Sequence, residues 1–145
     1  MLLMNANLAV EWGRWLANYL FTHGDDNPFL LAVRFGWRVI IEHEDGAGEL
    51  MPARLAEWDG SRRSIRIFIS SLRRHLGNST AVLYCACAHE LFHGLVAVKY
   101  RVLRLPEIVI PKLNYHGEEI AAQAFSEAWS NSHSQEESCL LSVSR

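Results

Sequence analysis

Residues 80 to 98 read TAVLYCACAHELFHGLVAV, apolar on nearly every side and free of glycine and proline until Gly94. A segment of this kind folds as a buried helix, because an all-round apolar surface needs cover from several directions. Asn78 or Ser79 stands where an N-cap is required, and the helix is expected to run to about residue 98. This constrains the chain strongly, since other elements must surround one central helix. Yet His89, Glu90 and His93 sit within it. Burying such groups without partners costs several kcal/mol, so something has to satisfy them.

The flanking sequence supplies the cover. Leu8, Trp12, Trp15, Leu16 and Tyr19 recur at helical spacing and predict a helix over about residues 5–22, ended by HGDDNP. Pro28 can start a short second helix, stopped by Gly36. WRVIIEHE is β-rich, PARLAEW alternates, and SIRIFI puts Ile65, Ile67 and Ile69 on one face, with EDGAGE and DGSRR as intervening turns. The expectation is an α+β fold: a small three-stranded antiparallel sheet with helices, the long apolar helix, and a closing helix over about residues 116–130 capped by Asn114. The two prolines of RVLRLPEIVIPKL forbid a helix between these last two. Residues 1–131 read as a single domain, and 132–145, polar and unpatterned, as a flexible tail.

With 145 residues, half of them apolar, and a formal charge of −2, the chain can bury a sizeable core. Its basic residues are scattered. RRSIR and LRRH are the nearest approach to a cluster and read as solvated faces, so direct nucleic-acid binding is not expected. The start, MLLMNANLAVEW, lacks a basic leader and carries Glu11, so it reads as neither signal peptide nor membrane span, and cytoplasm is the expected compartment. Of the three cysteines, Cys85 and Cys87 point in different directions on a helix and cannot bridge, so reduced thiols are expected.

Residues 89–93 spell HExxH. On a helix this spacing stacks His89 and His93 on one face, where both imidazoles can grip one metal ion. Glu90, about 100° round the helix, can reach a water activated by that ion without being a ligand, the place a general base needs. A catalytic zinc site keeps three protein ligands and one open position, so a third ligand is expected downstream. The metzincin pattern requires Gly at 96 and His at 99, where the chain has Val96 and Lys99. Glu118 and Glu119 lie one loop further on, and a closing helix that folds back can present either carboxylate; His116 competes for the same place. Tyr115 and His116, at the start of that helix, are candidate oxyanion donors. SIRIFI, were it the sheet edge beside the cleft, could pair with an extended peptide. Cys85, one turn before His89, reads as a small buried hydrophobe, the tryptophans as core, and His23, His43, His75 and His133 as structural or solvated.

AHELFH followed by Glu119, Ala122 and Phe125 in an ExxAxxF pattern resembles the ImmA/IrrE family of metallopeptidases over roughly residues 28–130. The resemblance implies that His89 and His93 are zinc ligands, Glu90 the base, and Glu119 the third ligand, with Glu118 in reserve. It also implies a protein or peptide substrate, with repressor proteins among those the family cleaves. The sequence departs from the family where Phe92 replaces Gly, Gln123 replaces Asn and Ser126 replaces Ala, and where the usual LLMP ending is absent. The leading expectation is therefore a zinc-dependent metallopeptidase of gluzincin type. Its alternatives are a metal-binding regulatory or interaction module without turnover, and a purely structural cluster that takes no metal.

Overall fold

The computed structural model describes residues 2–23, 27–43 and 55–143, and the side chains of 6–23, 27–43 and 55–129. Among the described residues five helices and three strands follow in the order α1 (Leu2–His23), α2 (Pro28–Arg34), β1 (Arg38–Glu42), β2 (Ala56–Asp59), β3 (Ser64–Phe68), α3 (Ile69–Leu76), α4 (Thr80–Ala97) and α5 (Tyr115–Val143). The fold is α+β, as the sequence leads one to expect.

Local chemistry sets most boundaries. Pro28 opens α2, and the Asn27 side chain caps it by accepting the Phe29 N–H at 2.9 Å. Gly36, at φ +83°, ends it, and the Trp37 N–H returns to the Ala32 carbonyl at 2.9 Å, a Schellman closure. Ser79 caps α4 through the Val82 N–H at 3.2 Å. The exit from α4 takes Lys99 and Tyr100 through positive φ, 55° and 60°, an unfavourable backbone for residues with a Cβ. Burial of Tyr100 holds the turn: its hydroxyl accepts the Trp12 indole N–H at 3.1 Å, and the two rings meet edge to face at 5.5 Å. Asn114 begins α5 by accepting the Gly117 N–H at 2.6 Å.

The sheet departs from expectation. Its order is β1-β3-β2, with β2 antiparallel to β3 but β1 parallel to it, so it is mixed rather than antiparallel. β3 is the central strand: Ile65 and Ile67 are fully buried on one face while Ser64 and Phe68 are covered as well. A strand apolar enough to need neighbours on both sides takes the middle, and alternation alone cannot reveal this order. It follows that SIRIFI is not an edge and cannot accept a peptide strand. Ile69 begins α3 rather than extending β3. The turn expected at DGSRR is present, with Asp59 Oδ1 accepting from the Ser61 N–H at 3.1 Å and hydroxyl at 2.7 Å; the turn expected at EDGAGE lies outside the described residues.

Helix limits differ too. α5 continues to Val143, past the expected end near residue 130 and through most of the segment read as a tail. On α1 the buried stripe is Ala9, Trp12, Leu16, Ala17 and Leu20, whereas Leu8 and Trp15 lie toward solvent.

α4 occupies the centre, against the sheet on one side and α5 on another, with α1 packed on α5. By length and hydropathy alone α4 would also suffice to cross a membrane; here Leu91, Phe92 and Leu95 are fully buried within the core. Two glycines allow the close approaches. A Cβ on Gly13 of α1 would fall 2.3 Å from the Ala121 carbonyl oxygen of α5, and one on Gly94 would lie 2.8 Å from the Trp37 ring and 3.0 Å from that of Trp58. The first fixes α5 two residues beyond Glu119. The second lets β2 settle on α4 one residue beyond His93.

Candidate metal centre

One helical turn separates His89 from His93, and their rings stand 5.1 Å apart. The first turn of α5, anchored by the Asn114 cap, brings two carboxylates against them. Glu119 reaches both rings: its Oε2 lies 3.4 Å from His89 Nε2 and its Oε1 2.8 Å from His93 Nε2. One donor atom from each of His89, His93 and Glu119 falls within 4.8 Å of the other two. These three side chains are close enough to hold one metal ion.

The donor set fits that role. Ligand atoms about 2.0–2.1 Å from a tetrahedral centre stand about 3.3–3.4 Å from one another, the separation of His89 Nε2 and Glu119 Oε2. Hydrogen-bond bookkeeping at His93 points the same way. Its Nδ1 meets Glu118 Oε2 at 2.5 Å while its Nε2 meets Glu119. A neutral imidazole carries one N–H and can satisfy only one carboxylate; at the other nitrogen two lone pairs face each other unless a second proton or a metal ion comes between. Glu118 meets His93 from behind, the place where carboxylates commonly orient metal-binding histidines, and Glu119 is the acid within the candidate cluster. The adjacent acids left open by the sequence thus meet different nitrogens of His93.

Burial tunes the surrounding groups. His89 is held below the usual histidine range, first by desolvation and then by His93, with Glu119 opposing; this favours the neutral, lone-pair form that ligation needs. Glu90 is pushed up to about 7. Desolvation is the main cause and Glu119 adds to it, while His93 and a hydrogen bond from the Trp58 main-chain N–H act against it. That N–H comes from β2, so the edge strand contributes to the surroundings of the Glu90 carboxylate. Nothing in the sequence pattern signals this contact, because it depends on which strand lies beside α4.

Glu119 is 41% exposed whereas His93 is 14% exposed, so the cluster has a buried side and a solvent side, as a site with an open coordination position requires. On one flank a cavity of about 370 Å³ is bordered by Glu57, Trp58, Glu90, His93, Tyr115 and Glu118 among others. Tyr115 itself is 82% exposed and stands at the rim. His116 is exposed and does not join the ligand cluster found among the described residues. His23 stacks on Tyr19 and His75 faces the Ser71 carbonyl at 2.9 Å, both away from the centre; the side chain of His133 lies outside the described residues.

Comparison with protein-family models, with curated proteins and with solved structures gives no match in any of the three.

Proposed function

We propose that the protein is a zinc-dependent metallopeptidase that hydrolyses a peptide bond in a protein or peptide substrate. The observation that carries this reading is the convergence of His89, His93 and Glu119 within 4.8 Å, with Glu90 beside them on the same helix. Two imidazoles and a carboxylate are a zinc-type donor set, and three ligands leave the fourth position free. When bound there, the ion supplies Lewis acidity, polarising a carbonyl oxygen and making a water acidic enough to lose its proton near neutral pH.

The protein's own groups do the rest. Glu90 accepts the proton of the attacking water and returns it to the leaving amine, its carboxylate aimed by the Trp58 N–H. Glu118 is a positioning residue, fixing the orientation of the His93 ring. Tyr115, at the rim of the same cavity, is the candidate hydrogen-bond donor to the oxyanion that develops. The resemblance of AHELFH and ExxAxxF to the ImmA/IrrE family supports the reading and extends it to regulatory or repressor proteins as substrates.

Glu90→Gln tests it. The variant is expected to bind zinc like the wild type while cleavage of peptide substrates disappears. Equal cleavage by both proteins would remove Glu90 as the base, and no cleavage by wild type across a broad peptide library would leave a metal-binding module without turnover.

A further inference from the structure

The other flank of the centre is chemically different. A second cavity, also about 370 Å³, runs from His89 and Glu90 between β2, α3, α4 and α5. Leu55 and Ala56 line it from the β2 side, Leu72 and Leu76 from α3, and Val82 and Ala86 from α4. We propose that this cavity is a specificity pocket, taking one large apolar side chain, of isobutyl to benzyl size, from a peptide bound at the His89–His93–Glu119 centre. This inference rests on the metallopeptidase reading and adds the class of substrate.

Three observations support it. The cavity borders the centre, because His89 and Glu90 are among its lining residues. Its size suits a large side chain: roughly 150 Å³ of apolar space suffices for a benzene ring, and more than twice that is present here. Its lining also rejects charge. Among the described residues no Lys, Arg or Asp borders it, and apart from His89 and Glu90 its polar groups are Cys85, Gln123 and Ser126. Burial holds the Cys85 thiol in its neutral form, hydrogen-bonded with Ser126. A carboxylate or ammonium placed there would lose its hydration without gaining a partner. Two other cavities border residues of the centre, one with Glu57 and Glu118 on its wall and one with Arg14 and Glu127, and both carry charge in their lining. Leu76, the last residue of α3, stays 56% exposed beside the buried Leu72, extending the apolar lining outward to where a substrate enters.

The test is calorimetric titration of zinc-loaded protein with hydroxamates whose side chain next to the zinc-binding group is hydrogen, methyl, isobutyl, benzyl or carboxymethyl. Each methylene buried is worth about fourfold in affinity, so isobutyl and benzyl are expected to bind at least tenfold tighter than methyl, and carboxymethyl weaker than methyl. Ala86→Phe, which fills the cavity, is expected to bring the isobutyl-to-hydrogen ratio toward one. Leu76→Asp, at an exposed position that does not threaten folding, is expected to lower the same ratio several-fold. A flat series on wild type, or a ratio unmoved in both variants, overturns the pocket while the metal reading stands. Failure of every hydroxamate to bind removes the metal reading and the pocket with it.

Discussion

A carboxylic acid buried beside two imidazoles should make the metal-free protein less stable at neutral pH than a neutral isostere would. The perturbation is Glu90→Gln, studied in the presence of a chelator. In the fold Glu90 titrates near 7, against an ordinary value of 4.5, mainly because of desolvation. Since its affinity for protons is higher in the folded state, the folded protein holds more protons than the unfolded chain between those values, and stability falls as pH rises through that window. The loss begins near pH 4.5 and is complete a little above pH 7. At about 1.4 kcal/mol for each factor of ten in proton affinity, the full effect is about 3 kcal/mol. The amide that replaces the carboxylate bears no charge at any pH and escapes it. Thermal melts of a chain this size move by about 3–4 °C per kcal/mol, so the variant is expected to melt about 10 °C above wild type at pH 8. At pH 5 the gap should shrink to a few degrees. A variant less stable than wild type at pH 8, or a gap that does not change with pH, would refute the reasoning that burial loads the Glu90 carboxylate.

The remaining predictions concern the ligands and the glycine contacts. Glu118→Gln is expected to weaken zinc binding by about 10- to 100-fold by freeing the His93 ring, whereas Glu119→Gln, which removes a ligand, weakens it further; competition against a chromogenic chelator ranks the two. Equal losses would contradict the division of labour between the adjacent acids. Gly94→Ala pushes a methyl into the Trp37 and Trp58 rings and is expected to lose about 1–3 kcal/mol in urea unfolding. Gly13→Ala directs its methyl at a main-chain carbonyl oxygen that cannot turn aside, and its loss is expected to exceed that of Gly94→Ala.

The fold class and the His89–His93 pair of the candidate centre were legible in the sequence because both rest on short-range periodicity. A separation of four positions from His89 to His93 means one turn of helix in any fold, and the caps at Ser79 and Asn114 act over three residues. What was not legible depends on long-range arrangement. β1 pairs parallel to β3 because β3 takes the centre of the sheet, and no local pattern in RVIIE or SIRIF distinguishes that order from a meander. Which nitrogen of His93 each of Glu118 and Glu119 meets is a matter of how α5 lies across α4. Trp58 enters the site through its main chain, and a backbone N–H leaves no mark on residue type. α1 presents Ala9 and Leu16 to the core rather than Leu8 and Trp15 because Gly13, a residue without hydrophobic weight, sets the face that approaches α5.

The central claim is that two imidazoles from α4 and one carboxylate from α5 share a single ion, and metal analysis of the purified protein tests it most directly. The account expects one zinc per wild-type chain after dialysis and close to none in His89→Ala. Wild-type protein that binds no zinc when the metal is supplied, or a His89→Ala variant that retains as much as wild type, would contradict it.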